Sequence, residues 1–247
     1  MSLLSLRGVT CRFGGITALN ALTLDLPAGA ITGVIGPNGA GKTTLFNCIT
    51  GAYRPTAGEI LLRGRNLVGL PPHRIARSGI ARSFQNIRLF HSMTVWEHLM
   101  VAQQGGGWRA SLAPLAFSGA GPRRRATAAL ERFGLEPFRD RLAATLPYGV
   151  MRRVELARAL TAEPSLLLLD EPVAGMNHEE AAELATLLHG LCGQGLTILL
   201  IEHDMGFVEQ LCAQVHVLDF GTLIASGTPA EVRRIPAVID AYLGVEA

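Results

Sequence analysis

The segment GPNGAGKTT at residues 36–44 holds the only lysine of the 247-residue chain, in which every other Lys-or-Arg position is an arginine. The spacing G-x-x-x-x-G-K-[ST] is met by Gly36, Gly41, Lys42 and Thr43. Glycines allow successive backbone N–H groups to turn inward around an anion, and a compact lysine ammonium reaches the same oxygens. The planar head of an arginine is too large for this ring. The segment therefore predicts a polyphosphate-binding site.

The elements around this segment favour a nucleotide site. The apolar pattern AITGVIG precedes it, and LFNCITGAY, which is apolar at helical spacing, follows it, so the order is strand, loop, helix. The positive end of such a helix attracts phosphate. A glycine-rich turn with a solvated lysine is the alternative, and this order of elements argues against it. Contacts to the nucleotide are expected from Gly36, Pro37, Asn38, Gly39, Ala40, Gly41, Lys42, Thr43 and Thr44.

Two adjacent carboxylates form a second candidate group. Asp170 and Glu171 end the segment SLLLLDEP, whose four leucines predict a buried strand. Carboxylates at the end of a buried strand are costly unless a cation is nearby. We expect Asp170 and the Thr43 hydroxyl to hold Mg²⁺, and Glu171 to orient and deprotonate the attacking water. The alternative is a pair of solvated residues just beyond a strand.

Three further side chains are candidates for the same site. His203 follows the apolar strand LTILLI, so it is expected beside the Asp170–Glu171 strand end and within reach of a γ-phosphate. Gln85 closes the strand pattern GIARSFQ, and its amide is expected to contact both the metal and the segment that follows. Phe13 in CRFGG is expected to stack on adenine. The alternatives are a structural histidine, a surface glutamine and a core phenylalanine.

The elements that position these residues predict an α/β fold. The first 35 residues predict β-strands, GEILLRGRNL and GIARSFQ predict one strand each, and HVLDFGTLIASG predicts a hairpin before a helix that starts at TPAE. After Pro147 helices alternate with strands, a pattern typical of a largely parallel sheet. The predicted elements there are helices at 151–162, 178–192 and 204–212 and strands at 165–170 and 196–201.

A helical segment interrupts this pattern. Thr94 and Glu97 have the spacing of a capping box and precede the apolar helix pattern VWEHLMVA. Residues 103–122 are rich in Gly, Ala, Ser and Pro and have no period, whereas RRRATAALERFGL returns to a helical pattern. The segment therefore predicts an inserted lobe in which a loop joins two helices.

Composition narrows the class of protein. A net charge of +2 and a pI of about 8.5 do not favour nucleic acid as a partner. Apolar residues make up 49%, yet the longest apolar runs, LLLL and LTILLI, are far shorter than the roughly 20 residues of a membrane span. The four cysteines show no CxxC spacing and are expected to be buried in a reducing compartment. The first residues lack the pattern of a signal peptide.

In their order along the chain, these motifs resemble the ATP-binding subunit of ABC transporters. LPYGVMRRVELARAL at 146–160 occupies the place of the family's signature, EPVAGMNHEE resembles its D-loop, and LIEHDM with the tail through IDAYLG resembles branched-chain amino acid importer subunits. The resemblance covers essentially the whole chain. It implies a P-loop NTPase of ABC ATPase type, with a largely parallel core sheet, an N-terminal antiparallel β subdomain and an inserted α-helical lobe. It also implies a single domain at 1–247, with its core at 1–86 and 163–247 and its lobe at about 87–162.

The resemblance also implies a role and partners. It implies an ATPase that uses ATP and Mg²⁺ to power import of branched-chain or related amino acids, bound peripherally at the cytoplasmic face of the inner membrane. The implied partners are a second ATP-binding subunit, two transmembrane permease subunits and, indirectly, a periplasmic solute-binding protein, but no nucleic acid. Gln85 and the lobe would pass motion to the permeases. The alternatives are an importer of another small solute, such as urea or amides, a binding module that closes on ATP but hydrolyses it poorly because of Pro147, and a soluble ABC ATPase acting on ribosomes or DNA.

The signature departs from the family form. The general form is L-S-G-G-Q and the branched-chain subfamily resembles L-x-Y-G-Q, so Tyr148 is expected whereas Pro147 and Val150 are not. In the family, the serine hydroxyl and the glycine amides meet a γ-phosphate bound by the partner subunit. Pro147 offers neither a hydroxyl nor an N–H, so this contact is left to Gly149 and the helix N-terminus. We therefore expect a heterodimer, with hydrolysis impaired at the site that receives this signature.

Overall fold

The computed structural model describes residues 2–83, 87–103 and 120–243. Its strands are β1 Ser2–Phe13, β2 Ile16–Pro27, β3 Ile31–Ile35, β4 Ala57–Leu62, β5 Arg65–Asn66, β6 Ile80–Arg82, β7 Leu166–Asp170, β8 Thr197–Ile201, β9 Gln214–Asp219 and β10 Thr222–Gly227. Its α-helices are α1 Lys42–Ile49, α2 Pro72–Arg77, α3 Val95–Val101, α4 Ala120–Arg132, α5 Tyr148–Leu160, α6 His178–Gly193, α7 Met205–Leu211, α8 Pro229–Val232 and α9 Pro236–Leu243. Short 3₁₀ turns lie at Glu136–Phe138 and Ala143–Thr145.

Within the part of the chain that the structure describes, the central sheet has six strands in the order β10-β9-β3-β8-β7-β6, and only the β9–β10 pair is antiparallel. Every residue of β3, β7 and β8 is buried. Strands covered on both faces are continuously apolar rather than alternating, which explains the run of four leucines in β7. The predicted largely parallel core sheet is confirmed. Its register pairs Asp170 with Ile201, so the carboxyl ends of β7 and β8 lie side by side.

A second sheet of four antiparallel strands has the order β2-β1-β4-β5. The sequence predicted one strand in GEILLRGRNL, whereas the structure has β4 and β5 joined by a tight turn. Arg63 and Gly64 both have positive φ, 49° and 77°, as the two-residue turn of a hairpin requires. This sheet packs against the central sheet through a core cluster that includes Leu6, Phe46 and Leu168.

The predicted lobe contains α3, α4 and α5. The capping box of α3 is confirmed, because the Thr94 side chain accepts from the Glu97 N–H while the Glu97 carboxylate accepts from the Thr94 N–H. Helix α5 begins at Tyr148 rather than at the predicted residue 151. Pro147 occupies its N-cap in an extended conformation, with φ −59° and ψ 153°, and so sets the start of the helix. The lobe shares one continuous apolar core with one face of the central sheet.

The remaining boundaries lie close to the predicted ones, with two additions. Helices α6 and α7 and strands β7 and β8 differ from the predicted ranges by one residue at some ends. The capping box of α8 forms between Thr228 and Glu231 as predicted. The sequence did not predict α2 and α9, each of which begins at a proline and spans at most eight residues. Within the described ranges, no helix has the length and hydrophobicity needed to cross a membrane.

A buried histidine connects the start of the lobe to α3. Phe90 N–H donates to His98 Nε2 at 2.9 Å, and His98 Nδ1 lies 2.8 Å from the carbonyl oxygen of Thr94. This geometry requires a neutral ring with its proton on Nδ1, because a proton on Nε2 would break the bond from Phe90. Burial lowers the pKa of His98, and the charge of Arg158 lowers it further, against the opposing effects of Thr94 and Glu97.

We predict that acidification from about pH 7.5 to about pH 5.5 lowers the melting temperature. Unfolded histidines take up a proton at about pH 6.5, whereas folded His98 resists protonation, so the destabilisation begins below that pH and grows as the pH falls. His98→Gln removes this titration and should reduce the loss of melting temperature. His216, whose pKa burial also lowers, remains in both proteins. A thermal melt at each pH, with His73→Gln as a control for the residue change, tests this; an equal loss in parent and variant would contradict it.

Candidate active site

The glycine loop between β3 and α1 is wedged against two neighbouring strands. Gly36 has a φ of 145°, and a Cβ there would lie 2.1 Å from the carbonyl oxygen of Leu218 in β9. Gly41 has a φ of 99°, and a Cβ there would lie 2.5 Å from the carbonyl oxygen of Ala18 in β2. Only glycine fits such positions, because each combines a left-handed backbone with direct backbone contact. These backbone contacts with β9 and β2 therefore fix the position of the loop.

The front of the loop is open and suits an anion. Gly39 has a φ of 83°, and a Cβ there would meet no atom within 4 Å. Among the described residues, no side chain caps the start of α1, and its first turn contains no acidic residue. The positive end of α1 is therefore not neutralised by an acidic residue of its own first turn. Phosphate groups of a nucleotide fit this cradle.

Lys42 holds its ammonium over the same loop. Nζ donates to the carbonyl oxygens of Gly36, at 2.5 Å, and Pro37, at 2.9 Å. Burial lowers the pKa of Lys42, while the charges of Glu171 and Asp170 raise it. The loop thus positions the Lys42 ammonium, which interacts electrostatically with both predicted carboxylates.

Asp170 ends β7 as a buried carboxylate with a cation beside it. Arg82 Nη2, at the end of the neighbouring strand β6, donates to Asp170 Oδ2 at 2.9 Å. Burial raises the pKa of Asp170, while the hydrogen bond and charge of Arg82 and the charge of Lys42 lower it. Asp170 and Thr43 line the same cavity. A carboxylate and a hydroxyl are the hard oxygen donors that Mg²⁺ prefers, so the residues present fit the expected ion.

Glu171 and His203 come together at the adjacent strand ends. His203 Nδ1 lies 3.7 Å from Glu171 Oε1, with Glu171 half-buried and His203 exposed. Glu171 has a φ of 47°, a conformation that costs about 1–2 kcal/mol for a residue with a Cβ. Its N–H donates to the carbonyl oxygen of Ile201 at 2.9 Å, which holds this backbone in place. Strain of this kind is common at functional positions.

Three predicted residues are not placed at the loop. Gln85 lies outside the described residues. Phe13 is exposed and meets the ring of Tyr53 edge to face, with 5.0 Å between the ring centroids. Gly149 lies in the first turn of α5, where a Cβ would approach Glu180 Oε1 to 2.9 Å. The assigned roles of these three residues stay predictions.

The structure adds residues that the sequence analysis missed. Arg82 was not singled out, although it lies in the same strand pattern, GIARSFQ, as Gln85. Glu202 is buried and accepts from the N–H groups of Val173, at 3.2 Å, and His203, at 3.1 Å, so it holds the D-loop and the histidine segment together. Glu202 comes directly after an apolar strand, and this position could have identified it from the sequence as a buried acidic residue.

Tyr242 of α9 is a further residue that the sequence analysis missed. Its hydroxyl is buried beside the backbone amide of Gly36, and burial raises the pKa of Tyr242. No local pattern pointed to this contact, because it joins the last described helix to a loop more than 200 residues earlier.

Comparison with known proteins gives a consistent result. The family model described as ABC transporter matches residues 19–174, and the model described as branched-chain amino acid ATP-binding cassette transporter matches residues 222–247. The high-affinity branched-chain amino acid transport ATP-binding protein LivG of Salmonella typhimurium is 48% identical over 249 residues, which cover 98% of each chain. Protein BraF of Pseudomonas aeruginosa, described in the same words, is 45% identical with the same coverage.

Solved structures agree on the fold. The ADP conformation of an ATP-binding cassette of an ABC transporter superposes with a TM-score of 0.87 and 30% identity, over 99% of both chains. A nucleotide-free cassette gives a TM-score of 0.86 and 29% identity, over 98% of this chain and 99% of the other. Together with the loop, carboxylates and histidine at one edge of the sheet, these matches show that the chain belongs to the ABC transporter ATP-binding family.

Proposed function

We propose that this chain hydrolyses ATP to power an importer of branched-chain or chemically related amino acids. The observation that carries the reaction is the meeting of the Lys42 loop with Asp170 and Glu171 at the carboxyl edge of one parallel sheet. The substrate class is supported by LivG and BraF, whose descriptions specify branched-chain amino acid transport. The tail match at residues 222–247 supports the same subfamily.

Each side chain at this edge has a distinct proposed task. The loop amides and the Lys42 ammonium bind the phosphates. The Thr43 hydroxyl and the Asp170 carboxylate would hold Mg²⁺, which when bound neutralises the charge that develops on the phosphates. Glu171 accepts the proton of the attacking water at a carboxylate oxygen, and His203, exposed beside it, donates to a phosphate oxygen.

A groove between the core and the lobe is the proposed contact with the membrane subunits. It has a volume of about 850 Å³. Core residues such as Asn47, Tyr53 and Arg82 line one side, and lobe residues such as Phe90 and Arg158 line the other. Asp170 lies in the same groove, so a permease segment bound there would sit next to the hydrolysis site. We propose that permease subunits dock in this groove and hold the chain at the cytoplasmic face of the membrane.

The domain boundaries are part of the same proposal. The lobe at about 87–162 and the core at 1–86 and 163–247 form one domain, with the lobe inserted between β6 and β7. The apolar core that the lobe shares with the central sheet supports one folding unit rather than two.

Two substitutions test the proposed reaction. Glu171→Gln should leave ATP binding intact and reduce turnover at least about 100-fold, because it removes only the proton acceptor. Lys42→Ala should weaken ATP binding itself, because the remaining loop lacks the ammonium. ATP affinity and phosphate release, measured for both variants beside the parent, give the comparison. Equal turnover of parent and Glu171→Gln would refute the role of Glu171, and unchanged affinity in Lys42→Ala would refute the site.

The transported solute needs a separate measurement. The chain, assembled with its permeases in vesicles, should show ATP-dependent uptake of leucine in the presence of the binding protein. Uptake of urea or an amide in place of leucine would support the alternative solutes instead.

We further propose that the chain works with a different ATP-binding subunit. Pro147 is exposed at the N-cap of α5, where it makes no side-chain capping bond. Val150 is buried against the lobe core, so its side chain is directed away from the surface at which a signature glutamine is expected. The signature surface therefore offers fewer polar groups than the family form, which supports impaired hydrolysis at the partner's site.

Pro147→Ser tests this asymmetry. The substitution restores a hydroxyl and an N–H at the helix start, so it should raise ATP turnover several-fold in the assembled heterodimer. The isolated chain should not change. A matched Pro147→Ala variant restores the N–H alone and should have a smaller effect. An unchanged rate in the assembled complex for both variants would contradict the proposal.

A further inference from the structure

Arg82 connects two parts of the proposed active site, namely α1 and the end of β7. Its Nη2 donates to Asp170 Oδ2 at 2.9 Å, and its Nη1 donates to Asn47 Oδ1 at 2.7 Å. Its guanidinium also lies over the ring of Phe46, 5.3 Å from the centroid. Asn47 and Phe46 belong to α1, the helix that follows the phosphate loop, whereas Asp170 ends β7. One side chain therefore fixes the metal-binding carboxylate relative to the loop helix.

Both side chains of this ion pair are largely buried. The side chains of Arg82 and Asp170 are only 11% and 7% exposed, so both charges are largely removed from water. A buried carboxylate requires compensation, and a cation that cannot be deprotonated provides it at any physiological pH. The compensated carboxylate is, however, the one that the proposed reaction assigns to a divalent cation. The guanidinium and the metal are thus expected to balance the same negative charge.

We propose that Arg82 is a positioning residue that acts as a resident cation for Asp170. It holds Oδ2, so that the other carboxylate oxygen is left for the metal and its water shell, and it neutralises the carboxylate while no metal is bound. The inference rests on the proposed role of Asp170 in holding Mg²⁺. Two cations close to one carboxylate repel each other, so Arg82 also weakens metal binding and favours metal release after hydrolysis.

A purely structural contact would behave differently. If Arg82 only ties β7 to α1, a role called a strut below, it stabilises the metal-free and the metal-bound protein equally. Its loss should then not change the affinity for the metal. A resident cation is most needed in the metal-free protein, so its loss should destabilise that state more than the metal-bound state. By linkage, the variant should then bind the metal more tightly than the parent.

The test compares Arg82→Gln, Arg82→Lys and Asn47→Ala with the parent. Mn²⁺ binding to the full chain in the presence of ADP is measured by the electron paramagnetic resonance signal of free Mn²⁺. Arg82→Gln should bind Mn²⁺ roughly tenfold more tightly, because a nearby positive charge is lost. Arg82→Lys keeps the charge and should stay within about twofold of the parent. Asn47→Ala loses the hydrogen bond from Arg82 Nη1 but not the charge of Arg82, so it should lower the melting temperature without changing the Mn²⁺ affinity.

The possible outcomes separate the two roles. An Arg82→Gln protein that folds only with Mn²⁺ and ADP supports the resident cation, whereas one that folds under neither condition supports the strut and overturns the proposal. Equal or weaker Mn²⁺ binding by Arg82→Gln also overturns it. Because binding is measured with ADP, this result does not depend on hydrolysis or transport. A parent that shows no ATP turnover would count against the proposed function alone, and a parent that shows no Mn²⁺ binding would count against the metal role of Asp170.

Discussion

The structure depends on one electrostatic constraint: a negative charge at the end of a fully buried strand must be balanced. Asp170 follows four buried leucines, and its side chain is only 7% exposed, so water compensates little of its charge. Two positive groups from separate elements balance this charge, namely the guanidinium of Arg82 and the ammonium of Lys42. The same requirement is the physical basis of the proposed divalent-cation site, in which magnesium would share in balancing this charge.

The surrounding architecture keeps this balance in place. Parallel pairing brings the ends of β7 and β8 together, and the backbone contacts of Gly36 and Gly41 hold the phosphate loop against β9 and β2. Such backbone contacts restrict the loop, which limits the ordering cost of binding a ligand. Glu202 adds a buried carboxylate that holds two adjacent backbone segments through their N–H groups. These contacts place strained Glu171 beside His203.

The groove between the lobe and the core is the proposed connection between this site and another protein. The groove that contains Asp170 is also lined by lobe residues. The proposed partner would therefore contact both the end of β7 and the lobe. Pro147 sets the start of α5 but reduces the polar groups displayed there. The proposed phosphate-binding edge thus lies in the same chain as a signature without the family's serine and glutamine, and this difference is the basis of the proposed unequal pair.

The sequence by itself determined the loop, the two carboxylates, the histidine and the alternation of helices and strands, because each depends on residues close together in the chain. Glycine spacing, capping boxes and apolar runs are local signals, and so they predicted the parallel sheet and most boundaries. The Arg82–Asp170 pair, the Tyr242–Gly36 contact and the hairpin turn at Arg63 were decided only by the tertiary structure. The two contacts join residues at least 88 positions apart, and the turn needs a positive φ that arginine does not favour by itself. Long-range partners of buried polar groups are set by packing, which no local pattern encodes.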